Sequence, residues 1–358
     1  MRTTTQVHTP EERLHMRLMG DRRARMQQVQ LWCMVSMLRT AMTGVIPLCG
    51  SAGWWLAPVC MLPGLVMYGL ACLVLRRTGA ATLTEAARGT LGRTGAIVLS
   101  VLLALLLLTD GAASMTALVT GFTEGIGTEG TQITMAALTL LALLFCLHRD
   151  GLAWGIHLMR WPMLALAAGV AAVMLTMARA DGFHPVLGPG TGTVMAAIQA
   201  GIALGWPLML LATVEPARPG RLRPLLPPTL MLCAAALLVC LVNPCEVLTR
   251  PAALAERLLL PAMHLPPALR TLTHSLGMLA LFLAVATAAQ VAAGHLLSPW
   301  GREVAWLPGT LAAAVTATQC LPISQLWRGL SALLMGLPSA LALLILLMAC
   351  RRKPCSGE

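Results

Sequence analysis

Thr43-Gly44-Val45-Ile46-Pro47 and Gly201-Ile202-Ala203-Leu204-Gly205-Trp206-Pro207 are the two stretches on which the reading of the fold turns. Each sets Gly and Pro inside a long apolar run. Paired interruptions at matching places in two halves of a membrane chain point to a binding site at the bilayer midplane. Backbone groups freed by such a break cannot face lipid, so protein or a water-filled cavity must satisfy them. A second reading stands beside this one. Gly and Pro are common in membrane helices, and Gly201 and Gly205 also form a GxxxG packing face.

The surrounding sequence sets the class. The chain has 358 residues, 57% of them hydrophobic and 11% charged, with a mean hydropathy of +0.77. Apolar runs of about 18 residues or more recur along nearly all of it, each long enough to cross a hydrocarbon core of roughly 30 Å. Ten spans are predicted, at 28–49, 53–75, 94–121, 131–148, 152–178, 191–214, 225–243, 269–294, 303–320 and 324–350. The expected organisation is a cytoplasmic N-terminal segment (1–27), a single transmembrane domain (28–350) and a cytoplasmic tail (351–358). The polar start lacks the apolar core of a cleaved signal peptide.

Arg and Lys placement orients the chain. With the N-terminus in the cytoplasm, eighteen Arg and Lys residues fall on that side and four on the other. Both termini are therefore expected inside. The net charge of +11 reads as a topology signal. Nucleic acid is not an expected partner, because the Arg residues lie in separate loops with no aromatic interleaving. The stretch Glu11–Gln28 is a cytoplasmic cap or an interfacial helix on anionic lipid. Residues 252–260, between Pro251 and Pro261, form a short helix over an outer vestibule or on the surface.

Ten spans divide into five plus five. With an odd number per half, the second half is inverted, and spans one and six become equivalent. These are the two interrupted ones. A half-helix N-terminus there suits an anionic group and a free carbonyl suits a cation; a zwitterionic amino acid has both.

Ionisable residues within spans are costly and are functional candidates by default. Asp110 lies near the middle of span three, Arg39 near the middle of span one, and Arg160 a third of the way into span five. Asp110 would hold a substrate ammonium, carry a proton, or pair structurally with an Arg. Arg39 would recognise a carboxylate or serve as the partner of Asp110. Arg160 would stand as a fixed cation in place of a sodium ion, or pin two helices together. Gln199, Gln290, Thr287 and Gln319 are weaker candidates, each explained by interhelical hydrogen bonding.

Eleven Cys residues are scattered, mostly within spans, with no spacing that suggests a metal. Cys49, Cys245 and Cys320 fall near the outer face, which admits a disulfide between two of them. The chain has no HExxH, GxSxG or GxxxxGK[ST] motif, so no enzyme, catalytic residue or cofactor is expected.

Several stretches together resemble the spore germination receptor B-subunit family. They are Gly53-Trp54-Trp55-Leu56-Ala57, Arg76-Arg77-Thr78-Gly79, Thr82-Leu83-Thr84-Glu85, Leu91-Gly92, Arg149-Asp150-Gly151-Leu152 with Arg160 beyond, Pro185-Val186-Leu187-Gly188, and Trp206-Pro207. Their order and spacing carry the resemblance, over roughly residues 28–240. The resemblance implies a branch of the amino acid–polyamine–organocation transporters. It also implies an all-α polytopic fold of the LeuT type, with two inverted five-helix repeats and helices one and six broken. The ligand would be a small nutrient such as an amino acid, held near spans one, three, six and eight. The residues assigned to it are Thr43, Gly44, Asp110, Gly201, Gly205, Trp206 and Pro207, with Arg39 and Arg160 as coupling or structural charges. Partners would be A-type and C-type receptor subunits and membrane lipid, in a bacterial cell membrane or spore inner membrane. A proton-coupled amino acid permease is the alternative. One departure stands out: Leu210 occupies a position where that family often has an acid.

Overall fold

The computed structural model describes residues 10–126, 149–178, 183–192, 194–195, 204–213, 223–249, 267–300, 304, 306–320, 345 and 347–348. Among them there are helices and turns and no strand. The helices are α1 (Pro10–Thr40), α2 (Ile46–Cys49), α3 (Gly53–Cys60), α4 (Leu62–Thr78), α5 (Leu83–Ile126), α6 (Arg149–Thr176), α7 (Pro207–Leu211), α8 (Leu226–Val242), α9 (Cys245–Leu248), α10 (Pro267–Leu297) and α11 (Leu307–Cys320).

Four helical stretches are long and apolar enough to cross a membrane: Ala24–Thr78, Leu83–Val119, Leu152–Thr176 and Ser275–Leu297. Leu226–Val242 and Leu307–Ala317 are shorter apolar helices. The protein is thus an all-helical, multi-pass membrane protein. Helix covers most of the predicted spans at 28–49, 53–75, 94–121, 152–178, 225–243, 269–294 and 303–320. The span at 131–148 lies outside the described residues, as does 324–350 apart from three positions. Gly201 and the helix expected at 252–260 also lie outside them.

The 55-residue run from Ala24 to Thr78 holds spans one and two, and it reverses at Gly50. There φ is +55° and ψ −129°, a conformation that L side chains avoid and Gly adopts at little cost. A loop before span six clasps this reversal. Ser51 Oγ donates to the Pro185 carbonyl at 2.6 Å, and Trp55 Nε1 donates to the Val186 carbonyl at 2.9 Å. A Cβ on Gly188 would lie 2.0 Å from the Cys49 carbonyl oxygen. Cys49 and Cys245 are free thiols in the structure.

α1 runs from Pro10 to Thr40, so residues 10–27 and most of the first span are one continuous helix. It is the inner element, touching α6, α7, α8 and α10. Three Gln residues near its entry bind it to neighbours. Gln28 Nε2 donates to Gln290 Oε1 at 2.9 Å, Gln30 Nε2 donates to the Pro224 carbonyl at 3.0 Å, and Gln27 Oε1 lies 2.6 Å from His157 Nδ1.

α5 packs along α10 through small residues. A Cβ on Gly111 would sit 3.5 Å from the Ala288 Cβ, in ordinary contact. Ala284, Ala288, Ala289 and Ala292 are all buried on that side of α10. In hydrocarbon the hydrophobic effect does not draw helices together, so close van der Waals packing and interhelical hydrogen bonds must do so. The Ala and Gly seam supplies the first, and the Gln contacts of α1 supply the second.

Candidate functional site

Asp110 is fully buried at the middle of α5. An unpaired carboxylate there would cost several kcal/mol, so its partners decide whether the helix can pack at all. It has three, all from one face of α1. Trp32 Nε1 donates to Oδ2 at 2.8 Å, Ser36 Oγ donates to Oδ1 at 2.6 Å, and the Arg39 guanidinium forms a salt bridge to Oδ1 through Nη2. Residues 32, 36 and 39 are spaced four and three apart, which lines them up on one helical face. Three donors, one of them cationic, suit an ionised carboxylate.

The second interruption joins the same cluster. Leu204 and Gly205 are helical, Trp206 forms a turn, and α7 begins at Pro207, whose missing N–H is harmless at a first turn. Trp206 is fully buried with its ring edge-on to Trp32, centroids 5.4 Å apart and planes at 67°. Cys33 Sγ donates to the Pro207 carbonyl at 3.2 Å, fastening α7 to α1. Gly205 lies directly on Gly64 of α4. A Cβ on Gly64 would fall 2.3 Å from the Gly205 carbonyl oxygen, and one on Gly205 would fall 2.6 Å from the Gly64 backbone. Gly205 therefore serves a backbone-to-backbone crossing. Leu210 is buried apolar packing.

The first interruption has a different form. Ala41–Val45 is a π turn, and the helix resumes at Ile46. Pro47 has no N–H, and its ring would crowd the carbonyl four residues back, which the wider turn accommodates. The stretch is rewound and not extended. Thr43 is exposed, its hydroxyl donating to the Arg39 carbonyl at 2.9 Å. Gly44 has nothing within 4 Å of where a Cβ would stand. The structure thus brings together Asp110, Arg39, Trp206 and Pro207, and leaves Thr43 and Gly44 beside the cluster on the following turn of the first span.

Not all hydrogen-bonding capacity near this cluster is used. Arg39 Nε and Trp206 Nε1 are buried N–H donors without an acceptor. Ser114 Oγ, one turn beyond Asp110, is buried without a partner, and so is Thr287 Oγ1, adjacent to the Ala288 that meets Gly111. Arg160 on α6 has a buried, unpartnered Nε, and its guanidinium lies 4.7 Å from the Trp161 ring centroid. A buried donor left unsatisfied costs about 1–3 kcal/mol unless water or another polar group meets it. Among the described residues no group of His, Cys, Asp and Glu is arranged to hold a metal ion.

Trp32, Ser36 and Cys33 escaped the sequence reading. The signal was present in Trp32, Ser36 and Arg39, a polar stripe on an otherwise apolar face, but only in combination with an acid on another helix.

No protein-family model matches the chain, and no curated protein matches it either. Solved structures that resemble it include three of mutant manganese transporters from Eremococcus coleocola. Each is 14% identical and aligns over 89% of this chain and 77% of that chain, with TM-scores of 0.47, 0.45 and 0.45. Likeness at this level supports no inference about what this chain binds.

Proposed function

We propose that this protein binds a small carboxylate-bearing solute, such as an amino acid, inside the membrane where α1, α5, α7 and α10 meet, and that it acts as the ligand-sensing subunit of a spore germinant receptor with a transporter-type fold. The observation that carries the reading is the pair of unused N–H donors, Arg39 Nε and Trp206 Nε1, bordering one buried cluster. Both want an acceptor. A carboxylate supplies two oxygens in a plane and is the small group best matched to them. Ser114 and Thr287 offer hydroxyls to the remainder of such a ligand. Asp110 is already satisfied by three donors, so its role here is to hold Arg39 in place, leaving Nε to face the ligand.

The alternative is a proton-coupled amino acid permease. Arg160 favours it, because a half-buried cation with a buried, unpartnered Nε suits a fixed charge standing where a sodium ion would otherwise sit.

Purified protein tested against amino acids and their carboxamides distinguishes the acceptor requirement. Amino acids are expected to bind and the carboxamides to bind at least tenfold more weakly, since a hydrogen bond to a charged group contributes about 1.5–3 kcal/mol. Equal affinity would refute the carboxylate assignment. Uptake of the bound amino acid into proteoliposomes separates the two roles: saturable transport by this chain alone selects the permease, and binding without transport selects the receptor subunit.

A further inference from the structure

A groove of about 370 Å³ runs along α4, lined by Leu65, Tyr68, Gly69, Cys72, Leu73 and Arg76, with Leu225 as its facing wall. Gly69 explains why it exists. Gly in a helix interior costs roughly 0.5–1 kcal/mol relative to Ala, and a backbone contact is the usual compensation. Gly69 has no such contact: nothing lies within 4 Å of where its Cβ would be. What its missing side chain creates is space.

The groove has a polarity. Leu65, Gly69, Cys72 and Arg76 follow one helical stripe, about 16 Å long at 1.5 Å per residue, close to half of a roughly 30 Å hydrocarbon core. Its long wall is apolar, and α4 and α8 also carry exposed apolar residues, Val66, Leu226 and Leu230, that suit a lipid-facing surface. Its end carries positive charge. Arg76 and Arg77 are exposed in the last turn of α4, and Arg223 is exposed two residues before Leu225.

We propose that this groove is a binding site for one anionic phospholipid, its acyl chain along Leu65–Leu73 and its phosphate on Arg76 and Arg223. Apolar length matched to a single leaflet with arginines at the interfacial end fits that amphiphile. A water-soluble anion would use the arginines and leave the apolar wall empty. Basic pockets between membrane helices recognise anionic headgroups in this way.

The test uses the full chain, purified and delipidated in detergent, with bound lipid counted by native mass spectrometry. Dioleoylphosphatidylglycerol is expected to occupy one site well above dioleoylphosphatidylcholine, by roughly fivefold for each arginine engaged. Gly69→Leu, whose Cβ meets nothing and whose side chain extends into the groove, is expected to abolish retention of both lipids with a melting temperature unchanged or slightly raised. Arg76→Gln with Arg223→Gln is expected to remove the preference for phosphatidylglycerol while phosphatidylcholine retention persists. Inorganic phosphate is expected not to displace the bound lipid. Equal retention of both lipids by the unaltered chain, displacement by inorganic phosphate, or undiminished retention in folded Gly69→Leu would each overturn the proposal.

Discussion

The two interruptions share a composition and differ in almost everything else. At Ala41–Val45 the helix widens by a π turn, Thr43 is exposed, and Gly44 faces open space. At Gly205–Pro207 the chain is buried throughout, Gly205 is pressed against Gly64, and Trp206 stands edge-on to Trp32. A Gly beside a Pro therefore marks a place where helix geometry changes, and the neighbours decide whether that place is loose or locked. The first interruption leaves open space beside Gly44, on the turn after Arg39. The second is closed by backbone contact.

Five substitutions probe this contrast. The largest effect is expected from Gly64→Leu or Gly205→Leu. Each puts a side chain where only 2.3–2.6 Å separates a Cβ from backbone atoms of the other helix, and backbone cannot be displaced cheaply. Loss of a monodisperse, cooperatively melting protein is expected on size exclusion and thermal unfolding; a normal melting profile for either variant would dissolve the idea of a locked crossing.

Asp110→Asn comes next. It leaves the Arg39 guanidinium, with its side chain only 11% exposed, beside a neutral amide. Breaking a buried pair from one side costs about 3–5 kcal/mol, and a corresponding loss of thermal stability is expected. Little change would mean that the Asp110 cluster is not what joins α1 to α5.

Trp206→Phe is a finer tool. It keeps an aromatic ring edge-on to Trp32 and removes a buried N–H that has no acceptor. The cavity left by the smaller ring outweighs the gain from removing an unpaired donor, so a modest loss of stability is expected, while affinity for the amino acid ligand falls roughly tenfold. A variant that binds normally would place the ligand elsewhere.

Gly44→Ala should do least. Its Cβ meets nothing, and replacing Gly within a helical stretch gains up to about 1 kcal/mol. A neutral or slightly higher melting temperature with ligand affinity unchanged is expected. A sharp loss of binding would show that the π turn itself contacts the ligand, and the distinction between the loose and locked interruptions would then need redrawing.

Much of the fold was legible because each predicted span is a property of one segment. The apolar runs at 94–121 and 269–294 reappear as α5 and α10, since crossing hydrocarbon depends on local length and hydropathy. Asp110 and Arg39 were also legible, because a charge within an apolar run is anomalous wherever it occurs. Their pairing was among the open readings, and the structure selects it. Trp32 and Ser36 were not legible as partners, because nothing in span one announces an acid on span three. Gly205 shows the same limit. Its GxxxG spacing named it as a packing residue as readily as a ligand site, and its counterpart Gly64 is one Gly among many in the spans.

By itself, then, the sequence determined the membrane class, the positions of most spans, the site of both interruptions, and which residues carry an awkward charge. These follow from sums over contiguous residues. Tertiary structure alone decided that Asp110 is saturated by one face of α1, that Gly205 is a crossing point, that Arg39 Nε and Trp206 Nε1 are left without acceptors, and that Gly69 opens a groove ending in arginine. Each of those depends on the depth and rotation of one helix against another. A shift of a few ångströms or one helical step re-pairs every such contact, and hydropathy is blind to that shift.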